Sequence, residues 1–420
     1  MSLRVVFYAM GYRGDVLPFV PVAREIAGRG HDVRFVCPRE FHPLFQGEPF
    51  RCVHAGTDFG PELLDQHAAF VARWGTRFGG AMLPRLYFDK LTLPNLDAFF
   101  DVIDAETASA DLVVSHPFSF LIAGPSAERH GVPAVVLDCF PMLRPSRYGR
   151  PPLGPALPPV LTNIAWRIGR SRAVQMVPSF AGFRNLRKRL GLSVDGWNFF
   201  DACTSSLRTI GLFSTHYQPR LADWPESYRI AGFTPWFGPT DDAVPADVEA
   251  FLSEGEPPVL VTLGSNAAAA HHETFIDAAR ALDAVGARGL LLTSRREIAD
   301  DSASKIGTNH GVWPFVPLGA VLHRCSAVVH AGGIGTVGAV LAAGIPSAVS
   351  PAVTDQVWHA RRLTQLRVGF AVPKHGLNDA MHRLVHDAEL ARDAAAFGDI
   401  IRRENGPDAA AELALGALSD

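Results

Sequence analysis

From Leu3 to Met10 the chain is a short apolar run of branched and aromatic residues that stops at Gly11. Phe19, Val22, Ala23 and Ile26 then recur at helical spacing, Gly30 closes that stretch, and HDVRFVCP opens a second apolar run. The order is strand, glycine turn, helix, strand. Two strands joined through a helix run parallel, because the crossover restores the direction that a hairpin would reverse. The pattern recurs at DLVVSH (111–116), a helix ending at Gly131, and VPAVVLD (132–138). It starts afresh with EPPVLVTLGS (256–265), a helix from His272 to Val285, RGLLLTS (288–294), CSAVVHAGG (325–333), a helix from Thr336 to Ala343, and IPSAVSP (345–351). The fold class is α/β, with two parallel-sheet units.

The join falls in RIAGFTPWFGPTDDAVP, where Gly, Pro and Asp accumulate. The domains expected are residues 1–228, a linker at 229–245, residues 246–400, and a helical segment at 401–420 that returns to the first unit. A chain of 420 residues accommodates two such units. Its 48% hydrophobic and 19% charged residues supply a core and exclude wholesale disorder. A net charge of -3 excludes a general nucleic-acid binder. The five cysteines are scattered without a CxxC pair and read as reduced thiols of a cytoplasmic protein. The apolar run in MSLRVVFYAMGYRGDVLP is too short for a signal peptide, and no stretch of about 20 apolar residues points to a membrane span.

Open parallel sheets bind ligands beyond the carboxyl ends of their strands. Those ends hold Gly11–Asp15, Gly264–Asn266, Thr293–Ser294 and His330–Thr336. In the last, glycines let a backbone approach a ligand closely, and the helix that follows presents free N–H groups and a positive dipole end. His330 donates to a phosphate oxygen in this reading, and Thr336 adds a hydroxyl. No Gly-Lys-Ser/Thr follows, so this is not a triphosphate P-loop, and the GGxG spacing fits the dinucleotide fingerprint poorly. A tight strand–helix turn with a satisfied His is the plainer alternative. Thr354–Gln356, a sugar-binding turn after the next strand, weighs against it: Asp355 and Gln356 accept and donate as sugar hydroxyls require.

The stretch WPFVPLGAVLHRCSAVVHAGGIGTVGAVLAAGIPSAVSPAVTDQ (313–356) resembles the donor-binding signature of the GT-B fold, nucleotide-sugar-dependent glycosyltransferases. Bacterial natural-product (glycopeptide- and macrolide-type) and sterol glycosyltransferases form the branch it is most similar to. GYRGDVLPFVPVAREIAGRGHDVRFVCP (11–38) resembles the GSRGDVxP start of that branch, and VLVTLGS (259–265) its diphosphate loop. The resemblance implies two Rossmann-like domains facing each other across a cleft. It implies that His330 contacts the diphosphate, with Gly332, Gly333, Gly335 and Thr336 around it. Asp355 and Gln356 would hold the sugar, and Trp313, Val316 and Leu318 would frame the base. Gly14, Ser265, Asn266 and Ser294 complete the implied donor contacts. Leu318 stands where relatives often carry Gln or His, and Gly338 where plant relatives place a ribose-binding Glu. Uridine and thymidine donors both stay open.

Many relatives use a His in the first glycine turn as the base that strips the acceptor hydroxyl during inverting transfer. Asp15 occupies that place here. A carboxylate does the same work where its environment suits it, and Asp is equally a favoured helix cap near Val16. His-type relatives support their base with an Asp near the end of a later strand; the corresponding region here, DLVVSHPFS, offers Ser115 and His116. His116 could orient Asp15 or share its proton. It is either a partner of Asp15 or a strand-end His without a catalytic part. No metal and no resident cofactor are expected: there is no DxD motif, and the helix dipole with His330 serves the leaving group. Tyr12, Trp74, Phe78, Phe88, Phe118, Phe140 and Met142 are the expected acceptor contacts, which makes the acceptor an apolar small molecule. The basic stretches WRIGRSR (166–172) and FRNLRKRL (183–190) read as solvated helices, with membrane contact the less favoured reading. A monomer or homodimer is expected. The alternatives to a natural-product glycosyltransferase are a non-catalytic auxiliary relative and a lipid or sterol glycosyltransferase at the membrane surface.

Overall fold

Short apolar runs flanked by glycines become strands buried on both faces, as parallel strands covered by helices must be. The computed structural model describes residues 2–58, 85–149, 157–236, 238, 244–263, 272–293, 296–303, 305–352, 354–373 and 376–419. They fall into two units, one made of 2–58, 85–234 and 405–419, the other of 235–404.

In the first unit the strands are β1 (Arg4–Tyr8), β2 (Asp32–Cys37), β3 (Arg51–His54), β4 (Leu112–Ser115), β5 (Ala134–Asp138), β6 (Arg208–Gly211) and β7 (Tyr228–Ile230). They order as β3-β2-β1-β4-β5-β6-β7, with every pairing parallel. The sheet therefore reaches into the stretch expected to be linker, since β7 includes Arg229 and Ile230. Helices used below are α1 (Arg13–Val16), α2 (Val20–Gly28), α3 (Pro117–His130), α4 (Pro159–Gly169), α5 (Arg172–Gln175), α6 (Pro178–Arg189) and α7 (Phe199–Ala202). Where one helix was expected from Phe19, the chain first makes the four-residue α1. Pro18 cannot donate to a helix through Gly14–Leu17, and a short 3-10 turn over Leu17–Phe19 bridges to α2.

The second unit holds β8 (Val259–Thr262), β9 (Gly289–Leu292), β10 (His310–Trp313), β11 (Ala327–His330), β12 (Ser347–Val349) and β13 (Gly369–Ala371), ordered β10-β9-β8-β11-β12-β13 and again all parallel. Its relevant helices are α8 (Ile334–Ala343) and α9 (Thr354–Leu366). Thr354, Asp355 and Gln356 were expected in a turn; they are instead the first turn of α9. The last helix, α10 (Gly406–Gly416), belongs to the first unit and packs on α2.

Each sheet has one place where successive strands part to opposite sides: between β1 and β4 in the first, between β8 and β11 in the second. Loops leaving those neighbouring strands diverge and leave a crevice, the position at which doubly wound sheets bind ligands.

Candidate active site

At the first switch point, Gly11–Asp15 leaves β1 and His116 leaves β4. Tyr8 pairs with Ser115 in register, and the His116 N–H donates to the Tyr8 carbonyl. His116 caps α3, with Pro117 at the first helical position, where its missing N–H is no loss. The His116 Nδ1 accepts the Phe118 N–H at 3.2 Å. A ring nitrogen that accepts carries no proton, so the neutral ring holds its hydrogen on Nε2. Burial among Phe19, Phe118 and Phe140, at ring distances of 5.8, 5.3 and 5.7 Å, keeps the imidazole neutral by pushing its pKa down to about 3. Nε2 faces Asp15 Oδ1 at 3.5 Å, longer than a formed hydrogen bond.

Asp15 is 8% exposed. Its Oδ2 accepts the Tyr12 N–H at 2.9 Å. Asp15 is thus the third residue of α1 reaching back to the cap, rather than the cap itself. One oxygen is held by the backbone and the other looks toward His116. Gly11 makes this fit: at φ +139°, a Cβ there would lie 2.3 Å from Asp15 Oδ2 and 2.6 Å from the Tyr87 hydroxyl. Tyr87 donates to the Met10 carbonyl at 3.2 Å, and burial with the nearby Asp15 keeps its phenol protonated.

The structure brings three of the expected acceptor residues together here. Tyr12 lies 6.3 Å from Tyr87, Tyr87 5.5 Å from Phe118, and Phe118 stacks on Phe140 at 5.7 Å. Phe88 is different. It is 2% exposed and sits edge-on to Phe118, Phe183 and Phe199, a core ring behind that wall. Met142 is likewise buried. Apolar spacing cannot separate a core ring from a pocket ring. Trp74 and Phe78 lie outside the described residues. Two residues escape the sequence reading: Tyr87, which no motif marks, and Asp138, whose signal is its place at the end of β5. Asp138 accepts from the Tyr228 hydroxyl and the Phe140 N–H, both at 2.7 Å, so it fixes the loop bearing Phe140. Burial pushes its carboxyl up to about 6.

The second switch point repeats part of this plan. His330 ends β11 opposite Thr262 and is 1% exposed. Its Nδ1 accepts the Gly332 N–H at 3.1 Å, so its proton too sits on Nε2. That Nε2 is buried without a hydrogen-bond partner among the described residues. Burial pushes the pKa down to about 4. Gly332 has φ +92°, and a Cβ would meet Val349 at 2.7 Å. Gly333, which caps α8, and Gly335 differ: among the described residues, a Cβ at either meets nothing within 4 Å. Internal packing does not require them. They keep the space over the α8 N-terminus open, where backbone N–H groups and the helix dipole attract an anion. Thr336 is half-buried in the same turn.

The first turn of α9 closes on this loop. The Gln356 Cβ and carbonyl come within 3.4 Å of a Cβ built on Gly332, and its Oε1 accepts the Ala352 N–H at 2.7 Å. Burial pushes the Asp355 carboxyl up to about 6. His359, fully buried one turn further on, is likewise kept neutral by burial, which pushes its pKa down to about 3. The expected base frame is only partly available. Val316 is buried, and Leu318 starts a short helix against the same core. Trp313 donates to Asp247 at 2.7 Å and packs edge-on to Phe251 at 5.3 Å. Phe315, at 51% exposure, is the open ring of that stretch. Gly14 is exposed, with nothing within 4 Å of a Cβ. Ser265, Asn266 and Ser294 lie outside the described residues.

Residues 280–405 match the family described as erythromycin biosynthesis protein CIII-like, C-terminal domain. The chain is 28% identical to O-mycaminosyltylonolide 6-deoxyallosyltransferase of Streptomyces fradiae, covering 98% of this chain and 96% of that one. It is 29% identical to 4'-demethylrebeccamycin synthase of Lentzea aerocolonigenes over 90% of each. The structure of glycosyltransferase VinC in complex with dTDP is similar along the full length of both chains, with a TM-score of 0.72 at 18% identity. The fold is that of the GT-B glycosyltransferases, and the full-length relatives it is similar to are named as glycosyltransferases or synthases of natural products. No helix among the described residues is long and apolar enough to cross a membrane.

Proposed function

We propose that this glycosyltransferase moves a hexose or deoxyhexose from a dTDP- or UDP-sugar to a hydroxyl of an apolar small-molecule natural product, in one metal-independent, inverting step. The observation that carries the reading is His330: a buried, neutral imidazole whose Nε2–H has no partner among the described residues, in the loop that leads through Gly332 and Gly333 into α8. A diphosphate satisfies that donor and the free N–H groups of α8 together. The dTDP in the VinC structure and the names of the natural-product relatives support the choice of donor and acceptor class.

Asp15 is the base in this reading. Its carboxylate takes the proton of the acceptor hydroxyl as that oxygen bonds to the anomeric carbon, and the sugar–phosphate bond breaks with its electron pair leaving on the nucleoside diphosphate. His116 acts through Asp15 as a positioning residue, because its Nε2–H can only donate to that carboxylate. Asp355 and Gln356 hold sugar hydroxyls from the first turn of α9. The test is calorimetric titration with dTDP, UDP and GDP, followed by transfer assays with sugars of whichever nucleotide binds. Binding without transfer to any aglycone would favour a non-catalytic relative; no binding at all would remove the donor assignment.

A further inference from the structure

Ten large hydrophobic side chains are exposed among the described residues, and seven of them fall between Tyr148 and Val177. α4 carries most of the patch. Thr162 and Trp166 face inward, with the Trp166 ring 5.1 Å from Phe200 and its Nε1 donating to the Ser146 carbonyl. Val160, Leu161, Ile164 and Ile168 lie on the outer side, at 71% and 60% exposure for the first and last. Met176 and Val177 extend the patch beyond α5. The presentation is fixed rather than frayed. The Gln175 side chain donates to the Gly169 carbonyl at 2.7 Å and accepts the Phe199 N–H of α7 at 2.8 Å.

The stretch of chain that carries the patch has charge of one sign only. Residues 139–194 contain ten Arg and Lys and no Asp or Glu, in a chain whose 39 cations are outnumbered by 42 acids. Arg170 pairs with Asp201, Arg187 with Glu128 and Arg189 with Asp97, each partner lying outside this stretch. Arg167, Arg172 and Lys188 are exposed, and no carboxylate among the described residues pairs with them. An aliphatic face with a cationic surround matches a bilayer surface bearing anionic headgroups: the side chains enter the acyl boundary and the arginines meet phosphates. A second copy fits poorly, because a two-fold contact would set this cationic stretch against itself.

From this juxtaposition we infer that α4, α5 and the basic end of α6 form a docking surface for an anionic lipid membrane. The surface is independent of the transfer chemistry, and it would place the enzyme where acceptors that dissolve in lipid collect. The experiment is co-sedimentation of the full chain with phosphatidylcholine vesicles and with vesicles of equal parts phosphatidylcholine and phosphatidylglycerol. The mixed vesicles should carry the protein down at low salt and the neutral ones should not. Ile164→Ser with Ile168→Ser, and separately Arg167→Ser with Arg172→Ser, should each lower the partition coefficient roughly tenfold at unchanged melting temperature. Absence of wild-type binding to the mixed vesicles would overturn the inference, as would undiminished binding by both variants. Light scattering that shows a dimer dissolved by the isoleucine changes would assign the face to a second copy instead.

Discussion

The two switch points carry the same histidine in the same local hydrogen bond, and they differ in what stands opposite. His116 and His330 each follow a central strand, each lend Nδ1 to the backbone N–H two residues on, and each point a buried Nε2–H outward. In the first unit a carboxylate lies 3.5 Å from that atom; in the second it has no hydrogen-bond partner among the described residues. In the proposed reading, a neutral buried donor beside a carboxylate orients a base, while the same donor left without a partner in the loop before a helix N-terminus serves an anion. In that reading one local geometry serves two chemical purposes, set by the loop leaving the neighbouring strand.

The sharpest way to break this division is at Asp15. Asp15→Asn should lower transfer by roughly 10²- to 10⁴-fold, the usual worth of a general base, while nucleotide affinity stays unchanged. Equal turnover would remove Asp15 from the mechanism and leave His116 merely structural. His330→Ala should do the reverse and weaken nucleoside diphosphate binding by about 10- to 100-fold, the range for a hydrogen bond to a charged group. Unchanged affinity would erase the difference between the two points.

Acid titration separates the histidine from its ligand. An unfolded imidazole titrates near about 6.5, and buried His330 near about 4. Between those values the unfolded chain binds a proton that the folded chain does not, so stability falls as pH drops through the window. His330→Gln removes that loss. From about pH 7 to about pH 4 the unfolding free energy of the variant should gain on wild type by about 3 kcal/mol, read by urea titration at each pH. No relative gain would mean that His330 is not held neutral by burial.

The smallest effect is the most discriminating. Gly332→Ala should destabilise the fold by about 1 to 3 kcal/mol, because φ is positive and Val349 is in the way. Gly333→Ala should leave the melting temperature in place and weaken only nucleotide binding. If both behave alike, the glycines are there for the turn and not for a ligand.

Much of this was legible because parallel strands declare themselves. VVFY, LVVS and AVVH are apolar on both faces, so their ends, and the histidines placed there, can be read without coordinates. His330, the glycines and the Asp355–Gln356 pair were visible as residue types that a plain core would not need. What could not be read was adjacency across the sheet. Nothing local says that β1 lies beside β4, and so nothing local brings Asp15 to His116 or Tyr87 to Gly11. Phe88 misled because a ring at helical spacing looks the same whether it lines a pocket or backs one. Thr354–Gln356 misled because a polar triplet after a strand suits a turn and a helix start equally.

The place of α10 has a consequence for how the chain is made. Gly406 lies so close to the backbone of Gly232 and Phe233 that a Cβ would meet the Phe233 carbonyl at 2.2 Å, and Arg29 and Arg208 bind Asp408 and the Leu413 carbonyl. Residues 405–419 therefore complete a unit whose strands were translated first, and they leave the ribosome only after residues 235–404. During synthesis the first unit waits, unfinished along its α2 face, for the length of an entire second unit. A chaperone that shields that face, or a pause that delays it, acts on the first unit through the timing of the last helix.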